Sequence, residues 1–276
     1  MRLATTLTAA AFALAAGAAD AGASVEVKDA VARVTVIPEA RSDIKVEVVK
    51  ANPRLPIVVR TAGDRTVVDG KLNWDVRSCR TSGGKPVVRV NGVGDVAWAD
   101  MPQIVIRTPK DVSLTAGGAV FGAVGRSASL DLVNAGCGDW VVANVAGKLT
   151  FSQAGSGDSR IGAVGQAKLR SAGTGDIAIA AVRNGVTIDI AGSGDVEVGS
   201  ASGPLDVKVA GSGGVGVEKG SVGAMTVSIA GSGDVSFGGV ATSLKARVAG
   251  SGDVRAKTVT GPVEKHVAGS GDVRIG

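Results

Sequence analysis

The sequence has no tyrosine and only one histidine, His266, and aromatic residues make up 3% of its 276 residues. Proteins that bind nucleic acids generally stack bases on aromatic rings and gather lysine and arginine into one basic patch. Here 30 basic residues are dispersed among 25 acidic ones, which leaves a net charge of +5. We therefore expect no nucleic-acid partner.

Side chains suited to acid–base catalysis or to metal binding are also scarce. One histidine and two cysteines, Cys79 and Cys137, cannot form an ordinary structural zinc site. The carboxylates recur at repeated positions instead of meeting in one unique cluster, and acid–base catalysis needs such a cluster. We predict no catalytic residue and no cofactor, expect that the protein is not an enzyme, and cannot assign binding residues.

Long apolar runs are confined to the N-terminus. Arg2 precedes an apolar stretch, Leu3 to Ala16, and small residues follow up to Ser24. This pattern predicts a secretory signal peptide over residues 1–23, cleaved after Ala19, Ala21 or Ala23. The stretch is too short to span a membrane comfortably, and no later segment qualifies. We expect an exported protein that is periplasmic, on the outer surface or secreted, with no membrane span in the mature chain.

Export would permit a disulfide between Cys79 and Cys137. The bond would close a loop of about 58 residues and contribute on the order of 4 kcal/mol in the chain-entropy model. Two free buried thiols are equally compatible with the sequence, which leaves both alternatives open.

Glycine is abundant, at 42 residues, and much of it belongs to one repeated four-residue corner. The corner recurs every 18 to 20 residues, a spacing that chance does not produce. Its copies are Cys137-Gly138-Asp139, Gly155-Ser156-Gly157-Asp158, Gly173-Thr174-Gly175-Asp176, Gly192-Ser193-Gly194-Asp195, Gly211-Ser212-Gly213-Gly214, Gly231-Ser232-Gly233-Asp234, Gly250-Ser251-Gly252-Asp253 and Gly269-Ser270-Gly271-Asp272.

Short alternating strands flank each corner. A five-residue run, such as Leu205 to Val209, precedes each corner, and a shorter run, such as Val196 to Val198, follows it. One further apolar residue, such as Val240, comes after the shorter run. About 19 residues suffice for one coil of a parallel β-helix. The sequence predicts an all-β, single-stranded parallel β-helix over residues 111–276.

Residues 24–110 also alternate like strands, but their repeat is degenerate, although the segment Asn91 to Val96 resembles a corner. We predict that they form an irregular β cap or first coils. At the other end, Lys265 takes an inward position. We expect this end to be blunted by Lys265 and its neighbours or to form a homo-oligomer contact.

The repeated aspartate has two interpretations. Each carboxylate could accept hydrogen bonds from corner amides, as in an Asx turn. Alternatively, the column could bind a row of cations, although calcium-binding β-rolls need an acidic turn on both sides of each coil. The first interpretation is favoured, so no metal is assigned. The candidate ladder comprises Asp139, Asp158, Asp176, Asp195, Asp234, Asp253 and Asp272.

The signal peptide, the run Val34 to Pro38 and above all the repeated Ala-Gly-Ser-Gly-Asp-Val corner resemble the GIN domain family, the head domain of putative auto-transporter adhesins. The resemblance implies an exported protein with a right-handed parallel β-helix. It implies adhesion to an unknown protein or glycan of the cell envelope, or a structural role there. A polysaccharide-acting enzyme and a cation-stabilised structural module are the alternatives, the former on fold analogy alone.

Overall fold

A computed structural model describes residues 23–73 and 75–276, whose regular secondary structure is β-strand apart from one 3-10 turn. The predicted signal peptide, residues 1–23, lies outside the described residues except for Ala23, as does Trp74. The strands are β1 (Ser24–Pro38), β2 (Lys45–Lys50), β3 (Val58–Ala62), β4 (Arg65–Asp69), β5 (Val76–Ser82), β6 (Lys85–Val90), β7 (Gly94–Ala97), β8 (Gln103–Thr108), β9 (Asp111–Val124), β10 (Ser129–Gly136), β11 (Trp140–Val142), β12 (Val145–Gln153), β13 (Ser159–Ser171), β14 (Ile177–Val182), β15 (Val186–Ile190), β16 (Val196–Val198), β17 (Ala201–Gly211), β18 (Val215–Val217), β19 (Gly220–Gly231), β20 (Val235–Gly250), β21 (Val254–Val259), β22 (Val263–Gly269) and β23 (Val273–Ile275). A 3-10 turn spans Trp98–Asp100.

Each coil runs along three faces. In one coil β15 leads to the corner at residues 191–195, β16 follows the corner, and the first residues of β17 form the third face. The rest of β17 then lies beside β15 in parallel, with Val186 opposite Leu205 and Ile190 opposite Val209. The same parallel register links the neighbouring coils. The predicted parallel β-helix is therefore confirmed, as a solenoid of about nine turns with about 19 residues per coil.

The interior is filled by stacked columns of apolar side chains, because alternate residues of every strand point inward. Leu132, Phe151, Leu169, Ile188 and Val207 follow one another down one column and are fully buried. The sequence places Val240 as the buried apolar residue of the third face, and this prediction is wrong. Val222 pairs with Ala241, which is buried, whereas Val240 pairs with Ser221 and is exposed.

Polar side chains occupy the interior near the first corners. Asn134, Gln153 and Ser171 share an inward column and are 1–2% exposed. Asn134 Nδ2 donates to the Gly138 carbonyl oxygen at 3.0 Å, and Ser159 Oγ donates to Gln153 Oε1 at 2.8 Å. Buried polar groups need such partners, and these two bonds tie the strands that carry Asn134 and Gln153 to their own corners. From the fourth copy onward the column becomes Ile190, Val209, Ile229 and Val248.

The N-terminal segment joins the solenoid and then leaves it. β1 pairs in parallel with β9, β4 and β8, so residues 24–38 form strands of the helical stack. β2 and β3 pair antiparallel with β8 and β4, so they cover the strand edges at this end. The apparent corner at Asn91–Val96 is wrong as a solenoid feature. It comprises the turn after β6 and the first residues of β7, in a separate three-stranded antiparallel sheet, β5–β6–β7.

The last described coil is open. Val263 and Val267 of β22 are 40% and 44% exposed, whereas their counterparts in the preceding coils are buried. Lys265 lies between them, and its Nζ donates to the carbonyl oxygen of Val273 at 2.7 Å. The lysine therefore links β22 to β23 across the end of the coil. Within the described residues, no helix has the length and apolarity that crossing a bilayer requires.

Candidate binding surface

The repeated corner stacks backbone directly on backbone. A Cβ on either glycine of the corner at residues 231–234 would overlap a carbonyl oxygen of the preceding coil, that of Gly211 or of Gly213. The first glycine, Gly231, also has a φ of 140°, which side chains rarely adopt. Glycine is therefore required at both positions, and the corner sequence follows from close packing between coils.

The corner aspartates form a ladder that differs from the expected Asx turn. Asp139 Oδ1 accepts a hydrogen bond from the backbone N–H of Asp158 at 2.9 Å, and Asp158 Oδ1 accepts one from Asp176 at 3.0 Å. The pattern continues along the solenoid. Each carboxylate from Asp139 to Asp253 thus binds the next coil, and this bond offsets the repulsion between carboxylates stacked about 4.8 Å apart.

Gly214 interrupts this ladder. Its N–H still donates to Asp195 Oδ1 at 2.7 Å, but it has no carboxylate to offer the next coil. In the described structure no ladder bond reaches the N–H of Asp234. A Cβ on Gly214 would lie 3.3 Å from Asp195 Oδ1 and 3.5 Å from the Asp234 carbonyl oxygen, so an aspartate has room there.

Glu197 lies just after the corner, on the second face of the coil, and is close to the corner aspartates. Burial raises the pKa of Glu197, and the nearby charges of Asp195, Glu218 and Asp176 add to the shift. At the last corner the hydrogen bond from Arg274 lowers the pKa of Asp272, and the Val273 N–H contributes.

The metal hypothesis gains no support from this arrangement. In residues 23–73 and 75–276, no three His, Cys, Asp or Glu side chains are grouped so that they could hold a metal ion. The seven aspartates form a single-file column in which Asp139, Asp158, Asp176, Asp195, Asp234 and Asp253 each use one oxygen on a backbone N–H of the next coil.

The first corner carries a cysteine where the later copies have serine or threonine. Cys137 is joined to Cys79 of β5, and their Cα atoms are 6.1 Å apart, within the usual range for a disulfide. The bond attaches the β5–β6–β7 sheet to the solenoid, where Val88, Val96 and Phe121 share a second apolar cluster. Trp98 packs edge-on against Phe121 at 5.5 Å, and Trp140 is fully buried, so both tryptophans serve packing.

A long groove runs along the first face, next to the corners. It has a volume of about 1050 Å³ and extends over eight successive coils, from Val133 to His266. At about 4.8 Å per coil, it is roughly 30 Å long. Its floor is the exposed alanine that precedes each corner, Ala154, Ala172, Ala191, Ala210, Ala230, Ala249 and Ala268.

One wall of the groove is a column of outward side chains. These are Ser152, Arg170, Asp189, Lys208, Ser228, Arg247 and His266. The sequence indicates the alternation of Arg170, Asp189 and Lys208, and the register places them opposite one another on adjacent coils. The alanine floor was not predicted as part of a binding site. Its signal, an alanine before every glycine corner, is nevertheless visible in the repeat.

Comparison with known proteins agrees with this architecture. The family model described as "Putative auto-transporter adhesin, head GIN domain" matches residues 39–221 and 184–276, which together cover most of the chain. This chain belongs to that family. No curated protein sequence matches it.

Similar solved structures include two bacterial proteins described as putative adhesins. A crystal structure described as a putative adhesin from Parabacteroides distasonis superposes with a TM-score of 0.57 at 15% identity, over 91% of this chain and 92% of that one. A second putative adhesin, from Bacteroides fragilis, gives a TM-score of 0.37 at 12% identity, over 92% of each chain. The first of these likenesses supports the solenoid fold.

Proposed function

We propose that this GIN-domain chain is an exported, non-catalytic β-helical scaffold that mediates adhesion through its outer surface. The observation that carries the proposal is the groove, which runs unbroken over eight coils of the solenoid. A surface of that length suits an extended polymer better than a small substrate. Membership in a family described as adhesin heads supports the same role.

The arrangement of the acidic residues favours binding over catalysis. Hydrolysis of a glycan commonly needs a pair of carboxylates facing each other across the scissile bond. The corner carboxylates instead form a column that is hydrogen-bonded to backbone amides. The alternative of a polysaccharide-acting enzyme would need an acid–base pair within the groove, and its wall offers one carboxylate, Asp189.

Adhesion and catalysis can be separated with the purified mature chain, residues 24–276. Beads coated with it are expected to adhere to envelope preparations or to an array of glycans and to release no reducing ends from the bound glycans. Beads coated with reduced and denatured chain serve as the control. Failure to adhere to any of these surfaces, or release of reducing ends in proportion to protein concentration, would overturn the proposal.

Export is tested in cells that express residues 1–276. We expect the mature protein in the periplasm, on the surface or in the medium, with an N-terminus that follows Ala19, Ala21 or Ala23. N-terminal sequencing of the recovered protein checks this. An N-terminus at Met1 in a cytoplasmic fraction would contradict it.

A further inference from the structure

The positive charges of the groove wall recur on every second coil. Arg170 lies opposite Asp189, which lies opposite Lys208, and two coils further on comes Arg247. With coils about 4.8 Å apart, the three cationic groups are spaced at about 9.6 Å. Asp189 and Ser228 occupy the coils between them.

These cations remain available to a ligand. Arg170 and Arg247 are 58% and 56% exposed. Arg170 Nε lies 4.0 Å from Asp189 Oδ2, and Arg247 Nη2 lies 3.7 Å from Glu264 Oε1, both long contacts between exposed groups. Such pairs contribute little, and a guanidinium has five N–H donors, so a second anion can be bound. Lys208 makes no ion pair within the described residues.

The groove wall is net positive although the corners nearby are acidic. Three cations, Arg170, Lys208 and Arg247, stand against one carboxylate, Asp189, in the wall. The corner aspartates do not line the groove. Asp195 and Asp234 lie around the corner with Glu197, where they line a separate small depression. A ligand in the groove therefore meets the positive column on its wall and alanine methyl groups beneath it.

The spacing discriminates between two kinds of anionic polymer. In an extended peptide the residues on one side recur every two positions, at about 6.6 Å, which does not match the cations. Strand addition is also excluded along the groove, because the strands that line it are paired with neighbours on both sides. A pyranose ring in an extended glycan advances the chain by about one coil, so a carboxylate on every second sugar matches the cation spacing.

We propose that the groove binds a linear anionic polysaccharide with a carboxylate on alternate sugars, held by Arg170, Lys208 and Arg247. The alanine floor leaves room for a row of sugar rings and contributes apolar contact without aromatic stacking. This inference rests on the proposed adhesion role and gives it a ligand class.

The test measures binding of residues 24–276 to four probes of similar length. They are oligosaccharides of alternating glucuronate and N-acetylglucosamine, polygalacturonate with an acid on every sugar, a neutral xylan and poly-glutamate. The alternating oligosaccharide is expected to bind best, and its affinity is expected to fall steeply with salt. Stronger binding of the neutral glycan would overturn the proposal, and stronger binding of poly-glutamate would indicate an acidic protein partner instead.

Variants locate the site. Replacing Arg170, Lys208 and Arg247 by serine, the residue already present at 152 and 228 of this column, is expected to weaken binding of the alternating oligosaccharide about tenfold. A matched variant replaces three exposed cations outside the groove, Arg160, Arg183 and Lys219, by serine, and binding is expected to change less than twofold.

A third variant keeps the cations and fills the floor. Ala210→Glu places bulk and negative charge at an exposed position in the middle of the groove and is expected to abolish binding. Circular dichroism verifies that each variant is folded. Equal affinities across all variants would refute the groove as the site. If no probe binds while coated beads still adhere, this inference fails and the adhesion role stands; if adhesion is lost as well, both fail.

Discussion

Completing the aspartate ladder at Gly214 should stabilise the solenoid. Gly214→Asp would provide a carboxylate for the Asp234 N–H, as Asp139 and Asp158 do in their coils. The backbone at Gly214 does not have a positive φ, and the nearest atom to an added Cβ is Asp195 Oδ1 at 3.3 Å. Because that atom ends a side chain, a small adjustment accommodates the new residue.

The expected gain combines three contributions. A hydrogen bond to a charged acceptor contributes about 1.5–3 kcal/mol. Replacing glycine where the backbone permits it adds about 0.4–1 kcal/mol through the unfolded state. Repulsion from carboxylates on the two adjacent coils, at about 4.8 Å in water, costs about 0.9 kcal/mol each before screening. The net effect is a stabilisation of about 1 kcal/mol, or roughly 2–4 °C in Tm.

Three variants separate these contributions. Gly214→Ala reports the backbone effect alone, Gly214→Asn adds an uncharged acceptor, and Gly214→Asp adds the charge. Thermal unfolding of residues 24–276 followed by circular dichroism gives the Tm of each variant. Hydrogen exchange at the Asp234 amide reports the new bond directly, and it should slow in the Asn and Asp variants only. Gly213→Ala is the matched control, expected to destabilise because its Cβ would overlap the Gly194 carbonyl oxygen.

Salt provides the decisive comparison. At about 1 M salt the Debye length falls to roughly 3 Å, which screens the carboxylate repulsion while the hydrogen bond persists. The Tm difference between the Asp and Ala variants should therefore widen as salt is added. An Asp variant that unfolds below the Ala variant at every salt concentration, with unprotected Asp234, would refute the ladder as a stabilising device.

Three further predictions concern the ends of the solenoid and the acidic column. Replacing Cys79 and Cys137 by serine should speed hydrogen exchange in the β5–β6–β7 sheet and leave the coils after residue 139 unchanged; thiol titration of the unfolded wild-type protein should find no free thiol. Lys265→Val removes the bond to Val273 and exposes apolar surface, so light scattering should show self-association that Lys257→Val does not cause. Calcium and chelator should give the same Tm, and a clear upward shift in calcium would revive the cation ladder.

Much of the fold follows from the sequence because the repeat constrains it twice. The period of about 19 residues gives the length of a coil, and the period of two within each strand decides which side chains face inward. The glycine corners can be predicted for the same reason, since their packing is local and repeats in every coil. The sequence does not choose between Val240 and Ala241 for the buried position, because both are apolar and only the pairing with Val222 decides it.

The tertiary structure decided the features that depend on neighbours from other coils. The sequence could not show that each aspartate binds the amide of the next coil, because the partner lies about 19 residues away. It left open the pairing of Cys79 with Cys137, which depends on where the β5–β6–β7 sheet packs.

The groove also has some features that follow from the sequence and others that only the structure shows. The sequence alone determined its parts, a column of alternating charges and an alanine before each corner, because side-chain direction follows from strand periodicity. Only the stacked structure decided that these two columns adjoin along seven coils and that the aspartates lie around the corner from them. Stacking at a fixed rise converts a spacing in sequence into a spacing in space, and the proposed ligand class follows from that spacing.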